Sequence, residues 1–503
     1  MVARGSGVPP PSPLPREFNI SFADFRERYA RHSLPVIISG AISDWPLLVQ
    51  GPRARIKEVC GDRNLYDDGC GGQLQKGNVK FHCKSAVGRV WAGLVAVPPG
   101  QPNLQTVGDL LSMDDGSRVG PFNVGLQGEG MFAAADGSTA HNIPGKHLYL
   151  QDAAIDVVCP ALFREMDVPR YFPVDYQLQA RNLRDGEIRH EGWHCSKTGG
   201  NSWPSIFVGG ASTGSGLHVD RGATRFWMAV LEGTKTFRLL APQDTQLLTR
   251  SKHCKSQPGG QAELCNYWTD DLWSVRDAHR RKDRAIVWEG NVSAGDIIFV
   301  PENWAHQVRN LDETVAISYN WVDEFNLPLF LRHLQLEAEA HDLSGDRSRL
   351  ARGGAFGRNR RLLGSFAYDH VHGAFPRVTA DEVVAAQADA PLSWGSFFKL
   401  QQPAQDPECA LDRNLAERPH PLALPPAEST PSDSPRPFRY DQYAYMGALG
   451  KWMVEDEGEA TLKALQEDGA WTSLAEPPDG AAREQRLERV RRILHQGHER
   501  DEL

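Results

Sequence analysis

The chain has 503 residues, of which 40% are hydrophobic and 24% are charged, and its formal net charge is −9. This is the composition of an ordinary globular protein, long enough for one large domain with appendages. The acidic balance, without a long basic run, argues against a nucleic-acid partner. No stretch approaches the roughly eighteen apolar residues of a membrane span.

The predicted elements begin with a short amphipathic helix after residue 16 and a buried strand over Pro35–Gly40. A helix is predicted over Thr106–Met113 and a strand over 146–152. Between 203 and 335, short apolar runs alternate with turn residues, a pattern typical of antiparallel strands in a barrel or sandwich. The segment RHLQLEAEAHDL that follows has the composition of a helix.

These changes of composition divide the chain into five predicted segments. The largest is a compact domain with a β core at about 203–325. The segments are a disordered Pro-rich lead (1–15), the compact domain (16–335), a helical and loop extension (336–416), a Pro-rich linker (417–438) and a C-terminal helical segment (439–503).

Eight cysteines are scattered along the chain, and none forms a Cys-x-x-Cys pair. Structural zinc modules of the finger type are therefore not expected. Cys254 and Cys265 close a short loop that contains Pro-Gly-Gly, so a disulfide between them is one hypothesis. An even number of cysteines permits an oxidising compartment without requiring one.

The two ends of the chain give conflicting indications of its compartment. The last four residues, RDEL, resemble the retrieval signal of the endoplasmic reticulum. The first residues, MVARGSGVPPPSPLPREF, lack the apolar segment of a secretory signal. Residence in the endoplasmic reticulum lumen is the expectation from the C-terminal signal, and the cytoplasm or nucleus is the alternative.

Polar residues interrupt the strand-forming run 216–240, GLHVDRGATRFWMAVLEGTKTFRLL. His218 and Asp220 are two residues apart, so on a strand they project to the same face. An imidazole and a carboxylate at one point are two of the three ligands of a 2-His-1-carboxylate iron site. Taken alone, this His-x-Asp spacing is common enough to arise by chance.

The returning strand carries Lys235 on the same face as Phe237 and Leu239. If that face is the interior, the buried ammonium needs an anion. The alternative is that Lys235 lies at the start of the strand, in solvent.

The segment 295–321 predicts a strand, a Pro-centred turn, a second strand with His306, another turn and a last strand. In the last strand Ala316, Ser318 and Asn320 alternate with bulky apolar residues, so one face is small and polar. Such a face beside a metal would suit a compact dicarboxylate. The alternative is that Ser318 and Asn320 face water on an edge strand.

Taken together, these segments resemble the JmjC domain of the cupin-type Fe(II)- and 2-oxoglutarate-dependent oxygenases. The resemblance covers about residues 16–335. It implies a mostly β fold with flanking helices, a double-stranded β-helix (jelly-roll or cupin) core and a helical C-terminal extension. The matching segments, in order, are PVIISGAISDWP (35–46), LYLQD (148–152), SGLHVD (215–220), EGTKTFRLLAP (232–242) and DIIFVPENWAHQVRNLDETVAIS (296–318).

The resemblance also implies a role for each matching residue. His218, Asp220 and His306 would bind Fe(II) and form the catalytic centre, and Lys235 would pair with the distal carboxylate of 2-oxoglutarate. Further hydrogen bonds to this co-substrate would come from Tyr149, Ser215, Ser318 and Asn320. One departure is Met228, which stands where lysyl-hydroxylase-type members often have a polar amide.

The implied activity is that of a dioxygenase, an oxidoreductase that consumes O₂ and decarboxylates 2-oxoglutarate to succinate while it hydroxylates a protein side chain. A protein or peptide is the expected substrate. Two alternatives stay open, namely an N-methyl demethylase of the histone type and an inactive JmjC interaction module.

Two further features of the sequence need an explanation. The segment HEGWH (190–194) fits the zinc protease motif, but that motif requires a helix and the surroundings are rich in glycine, so a loop is expected. The last helix is predicted to carry an apolar stripe, and this stripe is a hypothesis for homodimer formation. Its members are Leu487, Val490, Ile493 and Leu494.

Overall fold

The described chain is built around short β-strands, as the sequence predicts. The structure is a computed structural model that describes residues 10–62, 111, 149–155, 159–182, 204–211, 213–250, 268–274, 276–278, 285–342, 376, 378–387, 391–401, 488 and 491. The strands are β1 (Ser12–Pro13), β2 (Arg16–Phe18), β3 (Val36–Ser39), β4 (Tyr149–Ala154), β5 (Asp167–Val168), β6 (Ser205–Gly209), β7 (Gly214–His218), β8 (Arg225–Glu232), β9 (Thr234–Leu240), β10 (Val287–Ser293), β11 (Ile297–Val300), β12 (Ala305–Asn310), β13 (Thr314–Trp321) and β14 (Leu392–Ser393).

Helices precede, interrupt and follow these strands. The α-helices are α1 (Phe22–Phe25), which continues as a π-helical turn (Arg26–Ala30), α2 (Pro46–Val49), α3 (Pro52–Cys60), α4 (Tyr176–Asn182), α5 (Leu327–Asp342), α6 (Ala380–Gln387) and α7 (Trp394–Gln401). Short 3₁₀ helices cover Pro160–Arg164, Arg221–Ala223 and Pro242–Leu247. The predicted helix over Thr106–Met113 lies outside the described residues except for residue 111, which is helical.

Two sheets face each other. The first has the strand order β1-β10-β9-β12-β7, and the second has the order β2-β3-β11-β8-β13-β6-β4. Within them β1–β10 and β2–β3 are parallel pairs, and the other pairs are antiparallel. Two facing, mainly antiparallel sheets are the architecture of a jelly roll. The predicted cupin-type core is confirmed.

An apolar cluster between the sheets forms the barrel interior. Alternate residues of each strand supply it, because successive side chains of a strand point to opposite faces. In β13, Ala316 faces this interior, whereas Val315, Ile317, Tyr319 and Trp321 face a second cluster on the outside of the sheet. The inner cluster includes Ile37, Phe226, Met228, Val230, Phe237, Leu239, Val292, Ile298, Val308 and Ala316.

The second, outer cluster extends beyond residue 335. Trp394, at the start of α7, is 1% exposed and packs against Tyr319 with the ring centroids 5.8 Å apart. At the other end, Ser12–Pro13 pairs with Trp288–Glu289. The packed body therefore includes residues that the sequence assigned to the lead and to the extension, while the five segment boundaries stay a prediction.

A close contact between two turns fixes one end of the barrel. Gly233, between β8 and β9, has φ of 74° and lies so near the β12–β13 turn that a Cβ atom would come within 1.9 Å of the Glu313 carbonyl oxygen. Only glycine fits there. The Asp312 carboxylate accepts a hydrogen bond from the Thr234 N–H at 2.5 Å, which brings this acid close to Lys235.

A buried disulfide joins Cys60, at the end of α3, to Cys159, before the first 3₁₀ helix. The predicted Cys254–Cys265 pair lies outside the described residues. Disulfides are typical of oxidising compartments, so this bond agrees with one of the two compartments that the sequence left open. The compartment itself stays a prediction.

Candidate metal centre and diacid site

The fold brings the three predicted metal ligands together. His218 is the last residue of β7 and pairs directly with His306 in β12, and Asp220 follows two residues later. One ligand atom from each side chain lies within 4.8 Å of the other two. Residues on neighbouring strands that form a direct pair share a face of the sheet. His218 and His306 therefore lie side by side, although they are nearly ninety residues apart in the sequence.

Both imidazoles are oriented by backbone carbonyls. Nδ1 of His218 lies 2.7 Å from the Gly216 carbonyl oxygen, and Nδ1 of His306 lies 3.0 Å from that of Trp304. Since a carbonyl only accepts, each Nδ1 carries a proton, so the lone pair of the neutral ring is on Nε2. Nε2 of His218 and of His306 lie 3.8 and 4.0 Å from Oδ1 of Asp220.

The environment of His306 keeps its ring neutral. The side chain is buried and packs against Phe226, with the ring centroids 4.8 Å apart and the ring planes tilted by 43°. Burial, followed by the proximity of His218, lowers the pKa of His306 to about 4. A neutral imidazole is the form that binds a metal. With two nitrogens and one carboxylate oxygen directed to one point, these residues fit the donor set of a 2-His-1-carboxylate iron site.

Asn320 holds the carboxylate of this group, and Thr224 contacts Asn320. The Asn320 amide donates to Oδ2 of Asp220 at 2.7 Å and to the Thr224 hydroxyl oxygen at 3.2 Å. Because Oδ2 is engaged, Oδ1 faces the two imidazoles. The sequence placed Asn320 on the co-substrate, and that contact stays a prediction; its described partners are Asp220 and Thr224.

We expect Asn320→Ala to weaken metal binding about 10- to 100-fold, because partners that orient a ligand carry that much of the affinity. Equilibrium binding of Mn(II) without 2-oxoglutarate measures this effect apart from any contact with the co-substrate. Asn291→Ala, at an exposed position of β10, is the matched control. Equal Mn(II) affinity of Asn320→Ala and wild type would show that the amide does not support the metal site.

Lys235 lies inside the barrel and not in solvent. It is 0% exposed, and its Nζ donates to Oδ1 of Asn310 at 2.7 Å. Burial lowers the pKa of Lys235 to about 7, and the nearby Asp312 carboxylate opposes this shift. The inward position that the alternation with Phe237 and Leu239 indicated is confirmed.

The register places Lys235 at a defined distance from the metal ligands. In the β12–β9 pairing, His306 lies opposite Leu239, Val308 opposite Phe237 and Asn310 opposite Lys235. Four residues of strand separate the two ends, about 13 Å between Cα positions. The register therefore places Lys235 and the metal ligands toward opposite ends of the same pair of strands.

Ser318 also faces the interior, on the same face of β13 as Ala316. It is 4% exposed, pairs with Met228, and donates to the Trp227 carbonyl at 3.0 Å. Ser215 pairs with Val308 across a β-bulge and is half-buried. Extra residues at a bulge re-aim side chains, and here the bulge puts Ser215 and His218 on one face. Their predicted contacts with 2-oxoglutarate stay predictions.

Two predicted features lie partly or wholly outside the described residues. The backbone of Tyr149 pairs with Gly209 in β4, as the predicted strand requires, but its side chain lies outside the described structure. The HEGWH segment also lies outside the described residues. Within the described residues, the group with metal-binding spacing is the one formed by His218, Asp220 and His306.

A buried ionic network stabilises the turn before His306. The sequence analysis did not predict this network. Arg225 is 0% exposed and donates to Glu302 and to Asp323, each at 2.7 Å, and to the Ala30 carbonyl at 2.8 Å. Burial alone would lower the pKa of Arg225, but the two carboxylates outweigh burial and raise it. Glu302 belongs to the same turn as Trp304, whose carbonyl orients His306.

No helix in the described part of the chain combines the length and apolar character needed to cross a membrane. The predicted homodimer stripe lies outside the described residues, so self-association stays a prediction.

Comparison with known proteins agrees with this architecture. A family model described as a cupin-like domain matches residues 22–327. The arginine-specific demethylase JMJ22 of Arabidopsis thaliana is 25% identical over 336 residues, which are 67% of this chain and 51% of the relative. The human 2-oxoglutarate and iron-dependent oxygenase JMJD4 is 32% identical over 169 residues, 33% of this chain and 38% of the relative.

A third relative aligns over a larger share of its own length. The Drosophila melanogaster homolog of JMJD4 is 19% identical over 339 residues, 66% of this chain and 70% of the relative. This chain spans about half of the Arabidopsis relative and less of the human one. Because the family model covers more than half of the chain, this chain belongs to the cupin-like domain family, as a member of its JmjC type.

Proposed function

We propose that this chain is an Fe(II)- and 2-oxoglutarate-dependent dioxygenase that hydroxylates a side chain of a protein. One observation carries the proposal: the ligand atoms of His218, Asp220 and His306 lie within 4.8 Å of one another at one end of a barrel whose other end holds the buried Lys235. The relatives named JMJD4 are 2-oxoglutarate and iron-dependent oxygenases by name, which supports the same type of chemistry.

Each residue has a task in this proposal. The two Nε2 atoms and Oδ1 of Asp220 hold iron, and Asn320 keeps that carboxylate in place. Lys235 pairs with the distal carboxylate of 2-oxoglutarate, where a charge-assisted contact is strong because water is excluded. Bound iron supplies the activation of O₂ that couples decarboxylation of 2-oxoglutarate to oxidation of a C–H bond.

The target side chain reaches the metal from one direction. The side chains of His218 and Asp220 are 21% and 22% exposed, whereas that of His306 is 4% exposed. We infer that the protein substrate approaches on the His218 and Asp220 side. The buried side, with Phe226 on His306, keeps solvent from the rest of the centre.

Demethylation of an N-methyl group is the second candidate. JMJ22, which matches two thirds of this chain, is an arginine-specific demethylase by name. Hydroxylation of an N-methyl carbon leads to loss of that carbon as formaldehyde, so both candidates use the same centre. An inactive interaction module is the third reading, and the presence of all three ligand groups and the lysine argues against it.

Succinate release tests the activity itself. Purified protein with Fe(II), ascorbate and 2-oxoglutarate should form succinate without added substrate, and His218→Ala should not. Mass spectrometry then separates the candidates, because a hydroxylated peptide gains one oxygen whereas a methylated histone peptide loses a methyl group as formaldehyde. Succinate formation that persists in His218→Ala would contradict the proposed centre.

We expect the affinity for 2-oxoglutarate to fall as pH rises above about 7. In the free protein the pKa of Lys235 is lowered to about 7, and a bound carboxylate favours the charged form and raises it. Below pH 7 Lys235 already carries its proton, so binding takes up none. Above pH 7 binding takes up one proton, which lowers the affinity for 2-oxoglutarate by up to about tenfold per pH unit.

Binding to Mn(II)-loaded protein between pH 7 and 9 measures this dependence. Lys235→Arg is the matched variant, because a guanidinium stays charged throughout and its affinity should not follow this slope. A wild-type affinity that is constant from pH 7 to 9 would contradict the assignment of Lys235.

A further inference from the structure

A buried hydrogen-bond chain lies behind the ammonium of Lys235. Nζ of Lys235 donates to Oδ1 of Asn310 at 2.7 Å, and Nδ2 of Asn310 donates to Oγ1 of Thr213 at 2.8 Å. The Thr213 hydroxyl donates in turn to the Gly210 carbonyl at 2.7 Å. Lys235, Asn310 and Thr213 are 0%, 1% and 5% exposed, so water does not compete for these bonds.

The direction of this chain is determined at its far end. The Gly210 carbonyl only accepts, so the single proton of the Thr213 hydroxyl is used there and Thr213 offers Asn310 only lone pairs. The NH₂ group of Asn310 must therefore face Thr213, and its oxygen must face Lys235. The Asn310 N–H also donates to the Thr213 carbonyl at 2.7 Å, which holds the two residues in register.

We propose that Asn310, oriented by Thr213, is a positioning residue that directs the Lys235 ammonium toward the distal carboxylate of the co-substrate. The inference rests on the proposed function and adds two residues to it. An ammonium has three protons to donate, and Asn310 accepts one of them at a fixed point.

The neutral charge of this acceptor is part of the role. An amide oxygen satisfies one N–H of Lys235 without adding negative charge to the end of the barrel that must receive a carboxylate. An aspartate has nearly the same shape, but it would pair with the ammonium and repel the diacid. Asn310→Asp changes the charge of the side chain and hardly changes its volume. This variant therefore distinguishes the proposed positioning role from a packing role.

The experiment compares four variants with wild type in uncoupled 2-oxoglutarate turnover. Asn310→Asp tests the effect of charge. Thr213→Val removes the hydroxyl that orients the amide, and Thr213→Ser keeps a hydroxyl at this position. Asn291→Asp, at an exposed position of β10, adds the same charge away from the barrel interior and is the control. Mn(II) affinity without 2-oxoglutarate is measured for each variant, since the metal site exists only in the folded barrel.

We expect Asn310→Asp to raise the KM for 2-oxoglutarate by more than about tenfold, and Thr213→Val to raise it about three- to tenfold, the range for one neutral hydrogen bond. Because these bonds act on binding, kcat at saturation and Mn(II) affinity should stay near wild type. Thr213→Ser should return the KM to that of wild type, and Asn291→Asp should not change it.

Two failures are distinguishable. If wild-type protein turns over 2-oxoglutarate and Asn310→Asp has the same KM, the role of Asn310 is overturned while the proposed function stands. If wild type neither binds nor turns over 2-oxoglutarate in the presence of metal, the proposed function is overturned, and this inference with it. Should Asn310→Asp fail to bind Mn(II), an equal KM for Thr213→Val and Thr213→Ser would overturn the role.

Discussion

His306→Ala is expected to abolish the formation of succinate from 2-oxoglutarate. The variant removes one of the two Nε2 donors from the group with Asp220, and two ligands bind iron far more weakly than three. Since loss of a partner that merely orients a ligand costs about 10- to 100-fold in affinity, loss of the ligand itself should cost more than about 100-fold.

Metal titration and succinate release on the same preparations measure this effect. His32→Ala is the matched control, because His32 is exposed and lies away from the barrel interior. The circular dichroism spectrum of His306→Ala should match that of wild type, because the variant keeps Phe226 and the other core residues around His306. A variant that keeps wild-type Mn(II) affinity would exclude His306 from the metal site.

Arg225→Met is expected to lower the free energy of unfolding by about 3–5 kcal/mol, which is the usual cost of removing one partner from a buried ion pair. The methionine fills most of the volume of the arginine but leaves the carboxylates of Glu302 and Asp323 buried without their shared cation. Both acceptors are nearly inaccessible to solvent, so water cannot replace the guanidinium.

Urea denaturation measures the loss. The triple variant Arg225→Met, Glu302→Gln, Asp323→Asn should recover part of the stability, because it removes the uncompensated charges. Arg276→Met is the control. The Arg276 side chain, which pairs with Asp277, is 86% exposed, and exposed ion pairs contribute about 0–1 kcal/mol to the free energy of unfolding. A change of less than about 1 kcal/mol in Arg225→Met would show that the network does not stabilise the barrel.

Sequence alternation was sufficient to predict part of the barrel interior. In β13 and β9 successive side chains alternate between the barrel interior and the outer face of the sheet. The same period predicted an inward Lys235 and the shared face of His218 and Asp220. Asn310 could have been found in this way, since it is four residues after His306 and therefore on the same face of β12.

Other features depend on contacts that a single sequence does not reveal. Arg225 begins a strand whose neighbours are apolar, and nothing near it in sequence indicates that Glu302 and Asp323, 77 and 98 residues away, would neutralise it. The Asn320 contact with Asp220 likewise joins residues 100 positions apart. The bulge that turns Ser215 and His218 to one face cannot be predicted from alternating side chains, because a bulge interrupts the alternation.

The most direct measurement is calorimetric titration of 2-oxoglutarate into the protein with and without Mn(II). We expect one diacid to bind per chain when Mn(II) is present, with affinity that falls sharply without metal and also falls in Lys235→Met with metal present. Binding of the same strength with and without Mn(II), or no binding under either condition, would contradict a centre in which the metal and Lys235 hold the two ends of one ligand.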